Sequence, residues 1–334
     1  MLTSLVTGGA GFIGSHLSEH LLARGERVII LDDFSTGRLD NLQPVLGNPA
    51  LDVITGSVLQ EDLVAQAVAR ADRVFHLAAA VGVHLIVTEP ARVIETNIMG
   101  TDFVLRACVK AGTPVFLAST SEVYGKSRAI PFREDADLVL GPTSKSRWSY
   151  ACSKAIDEFM ALAYAQAHGL PVVIARYFNT AGPRQTGRYG MVIPRFVKQA
   201  LAGEPITVYG SGNQVRSFCH VHDVVPATVR LLETEQARGQ VVNLGSSDAT
   251  TVGDLALLVK TLAGSASPIV HVPFEQAYAQ GFEDIEVRQP DISRAASLIG
   301  FSPRFSLSGI VQSVIDWERS RPAPEPAGAA LARE

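Results

Sequence analysis

The chain has 334 residues, 47% hydrophobic and 19% charged, which excludes a mini-protein and a wholly disordered chain and leaves room for a sizeable core. Its 29 Lys and Arg against 33 Asp and Glu give a net charge of −4, so no global positive field exists to recruit nucleic acid or an anionic membrane. Three scattered cysteines, Cys108, Cys152 and Cys219, are too few for a disulfide framework and suit a reducing cytoplasm.

The N-terminus lacks the basic region of a secretory signal. The longest apolar stretch, Val74 to Val87, is interrupted by His76 and His84 and falls short of the roughly 20 residues that span a bilayer, so a soluble protein is expected. In chain order, β-branched runs at Leu2 to Thr7, Arg27 to Leu31, Leu51 to Thr55, Arg73 to Leu77, Pro114 to Ala118 and Pro171 to Ala175 read as strands. Helical patterns lie between them, including Glu89 to Ala111, closed by Gly112, and Trp148 to His168. This alternation predicts an α/β protein with a doubly wound parallel sheet of the Rossmann type. After Asn179 frequent Gly and Pro break the rhythm, and a smaller C-terminal lobe for substrate is expected. Residues 1–180 form the expected cofactor domain, with 213–270 partly returning to it; 181–212 and 271–318 form the substrate lobe, and 319–334 a mobile tail.

The run Thr7-Gly8-Gly9-Ala10-Gly11-Phe12-Ile13-Gly14 follows the first strand and opens the first helix. Gly8, Gly11 and Gly14 lack the Cβ atoms that would block a tight turn, a pyrophosphate and helix–strand packing, while the helix N-terminus faces the phosphates. Asp32, at the end of the second strand, can accept hydrogen bonds from ribose hydroxyls and repel a 2′-phosphate, which favours NAD over NADP. Ser57, Val58, Leu77, Ala78 and Ala79, at the ends of the next two strands, complete the expected cofactor-binding set with Phe12 and Ile13. Tyr150 and Lys154 are four apart on one predicted helix, so a phenol and an ammonium share a face, and the cation favours the phenolate. Both belong to the cofactor-binding and the catalytic sets.

Five basic residues between Arg184 and Arg216 (Arg184, Arg188, Arg195, Lys198 and Arg216) against Glu204 suit a diphosphate. Cys219-His220-Val221-His222-Asp223 would put both histidines on one strand face, but no third ligand has a paired spacing and no metal is expected; Asp223 reads as the cap of a helix beginning at Val224.

The order of glycine loop, Ser/Thr at a strand end and Tyr-x-x-x-Lys resembles the extended, nucleotide-sugar-modifying branch of the short-chain dehydrogenase/reductase superfamily, over residues 1 to about 318. By that resemblance Thr120 assists Tyr150, Asn179 and Arg216 hold a diphosphate, and Tyr209 packs near the base. Ser121-Glu122 is similar to the Ser-Glu of UDP-glucuronate decarboxylases, where 4,6-dehydratases show Asp-Glu. The stretch Gly281 to Ile292 looks like the region that carries an active-site arginine in those decarboxylases, with Arg288 in its place; the alternative is a surface pair of Arg288 with Glu283, Asp284 or Glu286. The approach Gly141 to Tyr150 is similar too. The chain departs from that pattern in having no tyrosine in His84 to Glu89 and in carrying Gly56-Ser57 where Gly-Asp is usual.

The resemblance implies an NAD-dependent UDP-glucuronate decarboxylase working through a 4-keto intermediate, with Tyr150, Lys154, Thr120, Ser121, Glu122 and Arg288 catalytic, and Asn179, Tyr209, Arg216 and Arg288 on a UDP-sugar. A UDP-sugar 4-epimerase is the alternative, ahead of a 4,6-dehydratase or a non-catalytic NAD-binding regulator. A homodimer through the two long helices is also implied, with no nucleic acid or membrane as partner.

Overall fold

The first apolar run, Thr3–Thr7 (β1), lies parallel to Arg27–Asp32 (β2), and a parallel pair needs a crossover, supplied by helix Phe12–Ala23 (α1). The same unit repeats through Leu51–Thr55 (β3), Glu61–Val68 (α2), Arg73–His76 (β4), Val83–Thr88 (α3), Pro90–Ala111 (α4), Val115–Thr120 (β5), Arg147–His168 (α5) and Val172–Tyr177 (β6). This computed structural model describes residues 1–187, 191–277 and 285–321. Pro90 at the first turn starts α4 without forfeiting a hydrogen bond, and Gly112, in the left-handed region at φ 67°, ends it.

Seven strands form the main sheet in the order Val241–Leu244, β6, β5, β4, β1, β2, β3, each neighbour pair parallel. The order reverses between β1 and β4, so the connections leave on opposite faces there and open a crevice beyond the carboxyl ends. Thr7, which pairs with Leu31 and His76, stands at that edge. Apolar side chains pack on both faces, with Leu17, Leu21, Val224 and Leu231 on one and Val64, Val104, Cys108 and Ala161 on the other. A parallel sheet covered on both sides is the expected result.

A third core, around Phe196, Val208, Leu255 and Ile310, underlies the C-terminal lobe. Its small sheets pair Ile206–Tyr209 with Ile269–Val272, and Val215–Ser217 with both Ala249–Thr251 and Val287–Arg288. Beneath the sheet edge, Arg176 on β6 pairs with Glu158 on α5 at 2.7 Å, and Glu158 also accepts from Ser119 on β5, so the long helix is tied to two strands.

Two local readings are corrected. The helix after Cys219 spans Val221–Glu233 (α7 in the count that includes Val192–Ala202, α6), and its N-cap is His220, whose Nδ1 accepts from His222 N–H. Asp223 therefore lies inside the first turn and accepts instead from the N–H groups of Arg304 and Phe305. His222 is helical, so the two histidines do not line one strand face. Among the described residues no helix is long and apolar enough to cross a membrane.

Candidate active site

The glycine loop turns where sequence chemistry requires it. Gly8 has φ 70°, and a Cβ there would stand 2.8 Å from Ala78 N. At Gly14 a Cβ would meet Gly8 O at 2.1 Å, so this glycine serves helix–strand packing. Gly11 instead borders the cleft, a Cβ there meeting only Gly8 O, at 3.1 Å, and the start of α1 has no side-chain cap. Open backbone N–H groups beside a surface cleared of Cβ atoms fit a pyrophosphate.

Gly8, Gly11, Phe12, Asp32, Ser57, Val58, Leu77, Ala78 and Ala79 all line this one cleft. Ile13 and Gly14 do not; Ile13 packs on the core below. Asp32 is buried, with Oδ2 accepting from Ala10 N–H at 2.9 Å and Oδ1 from Phe34 N–H at 2.8 Å. Burial raises its pKa while these two bonds pull it down. Ser57 turns its hydroxyl to Leu59 N–H at 3.2 Å.

Tyr150 is 7% exposed and packs with Ala80, Leu85, Ile86 and Val93, of which Ala80 and Leu85 also wall the cofactor cleft. Burial pushes its phenol up, the Glu122 charge adds to that, and a hydrogen bond from Thr120 and the Arg288 charge oppose it. The site therefore brings Tyr150, Thr120, Glu122 and Arg288 together from α5, β5, the 3₁₀ turn Ser121–Tyr124 and the strand Val287–Arg288. Lys154, one turn beyond Tyr150, is buried and donates to Asp157 at 2.7 Å. Ser121 is buried beneath Glu122 in the chain and outside both cleft linings.

A second cleft continues from the first, sharing Gln185 and Met191 with it. Glu122, Arg147, Asn179, Tyr209, Arg216 and Arg288 line it. Glu122 sits between two guanidiniums, Arg288 Nη1 at 3.3 Å and Arg147 Nη2 at 3.6 Å. Arg288 thus has an internal partner in Glu122; of the surface partners considered for it, Glu283 and Asp284 lie outside the described residues. Arg216 donates to Val215 O and Glu286 O, Asn179 donates to Ser217 O, and the Arg195 guanidinium lies 3.7 Å over the Tyr209 ring.

Only part of the basic segment faces this cleft. Arg184 turns away to Glu19 at 2.6 Å and Lys198 to Glu318 at 3.7 Å, because each finds a carboxylate on a neighbouring helix; Arg188 lies outside the described residues. Sequence reasoning passed over Arg147, although it stands three residues before Tyr150 and one turn along the same helix, and it passed over Asp157 and Phe274 as well. Phe274 lines the second cleft with Tyr209, a pairing that no spacing signals because 64 intervening residues fold away between them.

Residues 4–245 match the model of the NAD dependent epimerase/dehydratase family. The chain is similar to a UDP-N-acetyl-alpha-D-glucosaminuronate decarboxylase of Bacillus cytotoxicus, 44% identical over 94% of this chain and 97% of that one. It is also similar to UDP-glucuronic acid decarboxylase 1 of Arabidopsis thaliana, 36% identical over 99% of this chain and 73% of that one. Among solved structures it resembles a UDP-glucuronic acid 4-epimerase from Bacillus cereus in complex with UDP-glucuronic acid and NAD, with TM-score 0.86, 30% identity, and 95% and 99% of the two chains covered.

Proposed function

This chain belongs to the NAD-dependent epimerase/dehydratase family, and from that premise we propose that it decarboxylates a UDP-linked glucuronate, either UDP-glucuronate or its 2-acetamido counterpart, through a 4-keto intermediate. Its cofactor is NAD. The observation that carries the reading is Glu122 held between Arg147 and Arg288 beside Tyr150. Two cations against one carboxylate leave a net positive charge at the sugar end of the second cleft, which a C5 carboxylate neutralises and a neutral hexose does not.

Tyr150 takes the proton of the C4 hydroxyl, with Thr120 hydrogen-bonded to it and Lys154 one turn away. NAD held in the first cleft would supply a hydride acceptor for C4 and, once reduced, the hydride to return to it. With a ketone at C4 the carboxylate is a β-keto acid: the C5–C6 bond breaks, carbon dioxide leaves, and the electron pair passes to the C4 oxygen, against the Tyr150 hydroxyl. Arg147 and Arg288 hold the carboxylate over the ring, while Glu122 manages the solvent-derived proton that goes to C5; Ser121, buried outside both clefts, acts only through the turn that carries Glu122. Tyr150 then returns its proton to O4. Asn179, Arg195 and Arg216 take the diphosphate, and Tyr209 with Phe274 the base. Residues 1–180 act as the cofactor domain, with 213–270 partly returning to it, and 181–212 with 271–318 as the substrate lobe; of the tail expected over 319–334, the first two residues belong to the helix Leu307–Ser320, and 322–334 lie outside the described residues.

We further read the protein as a cytoplasmic homodimer. Ile94 and Met99 on α4 and Ile156 and Phe159 on α5 are 41%, 43%, 36% and 68% exposed, and these neighbouring helices offer an apolar face to a second copy.

The test is product analysis by NMR, with trapped carbon dioxide, after incubation with UDP-glucuronate, UDP-N-acetylglucosaminuronate and UDP-glucose. Carbon dioxide and a UDP-pentose from either acid support the reading. Interconversion of C4 epimers without carbon dioxide refutes it in favour of the 4-epimerase.

A further inference from the structure

Behind the reacting groups runs a buried polar chain that the proposed reaction leaves unused. Asp157 has no exposed surface, and its Oδ2 accepts from Lys154 Nζ at 2.7 Å. Thr101, on α4, lies beside the same carboxylate and lowers its pKa, while the buried Oδ1 has no hydrogen-bond partner. The Thr101 hydroxyl meets His76 Nε2 at 3.1 Å, His76 Nδ1 meets Thr7 Oγ1 at 2.7 Å, and Thr7 Oγ1 accepts from Ala78 N–H at 3.2 Å. The Lys154–Asp157 pair is thus buried against a Thr101–His76–Thr7 chain that ends on the strand leading into the glycine loop.

An ammonium alone beside Tyr150 favours its phenolate. A buried ammonium with a carboxylate at 2.7 Å is nearly neutral as seen from outside the pair, so most of that help is cancelled. We propose that Asp157 is a positioning residue that fixes the Lys154 ammonium and, by opposing its charge, sets the pH at which Tyr150 accepts the C4 proton. Other charged groups facing Tyr150 are Glu122 and Arg288, from outside its helix; facing Asp157 are Lys154 and Glu158, the latter neutralised by Arg176. His76 is held neutral by burial, with its pKa lowered to about 3, and adds no charge.

The inference rests on Tyr150 being the base at C4, which both the decarboxylase and the epimerase readings share. The experiment is therefore a titration without turnover. Tyrosinate absorbance of the NAD-loaded protein is followed against pH, with Tyr150→Phe as the blank, in the wild type, Asp157→Asn and Asp157→Glu. Asp157→Asn is expected to lower the Tyr150 midpoint by about one pH unit, because Lys154 then acts unopposed; Asp157→Glu, which keeps the charge, is expected to stay near the wild type. The limb of kcat that follows Tyr150 should move with the midpoint. An unmoved or raised midpoint in Asp157→Asn, or an equal shift in Asp157→Glu, overturns the proposal, since a residue that only packs would lower stability without moving the titration. If Asp157→Asn does not fold, Asp157→Ser, whose smaller side chain leaves room for a water on Lys154, is read by the same criterion.

Discussion

Replacing Arg288 by Ala tests the anion subsite most directly. Its Nη1 lies 3.3 Å from Glu122, and its side chain is 14% exposed, so the charge acts in a partly desolvated cleft. Two unit charges about 4 Å apart at an effective dielectric of about 20 interact by about 4 kcal/mol. Arg147 remains on the other side of Glu122, and hydrogen bonds to charged groups measure about 1.5–3 kcal/mol, so the loss should fall below the Coulomb figure. An expected loss of about 2.7 kcal/mol corresponds to roughly a hundredfold in kcat/KM for carbon dioxide release. Glu122→Gln should fall on the same scale through the proton step at C5. The assay pairs carbon dioxide release with NAD binding by fluorescence, because the cofactor cleft does not include Arg288 and its affinity should hold. Decarboxylation within threefold of the wild type, or an equal loss of binding for UDP-glucose and UDP-glucuronate, would refute the argument that the arginines read the carboxylate.

Tyr150→Phe should abolish turnover while NAD still binds, since the ring and its contacts with Ala80 and Leu85 persist; measurable C4 oxidation in single-turnover absorbance would contradict the role. Phe159→Glu should convert a dimer to a monomer in light scattering at micromolar concentration, and an unchanged mass would remove α5 from the interface. Acid should destabilise the fold through His16, which is buried, donates from Nε2 to Pro183 O at 3.0 Å, and has its pKa lowered to about 3, chiefly by burial. The unfolded chain then binds a proton that the native state refuses between about pH 6.5 and 3, so this contribution is complete above about pH 6.5 and is lost as pH falls, by at most about 1.4 kcal/mol per pH unit. His16→Gln should flatten the slope of denaturant stability against pH in that window, and an unchanged slope would rule His16 out as its source.

The sequence by itself determined the sheet and the cofactor cleft, because both depend on local rules. Alternating apolar runs and crossovers admit only a parallel sheet, and Gly8, Gly11 and Asp32 occupy the cleft because a turn without Cβ atoms and an acid at the next strand end are set by spacing along the chain. The Tyr150 and Lys154 helix was legible for the same reason. What only the tertiary structure decided concerns pairings between distant segments. Arg288 reaches Glu122 across 166 positions because its short strand pairs with Val215–Ser217 at the mouth of the cleft, and Arg184 leaves the basic cluster because Glu19 on α1 is nearer. Asp223 lost its predicted capping role to His220 because the helix begins three residues earlier, freeing the carboxylate for Arg304 and Phe305. Lys154 meets Asp157 within one helix turn, a contact whose spacing is visible in the chain. Its strength is not, since tertiary burial of both groups is what turns a solvated pair into a fixed one.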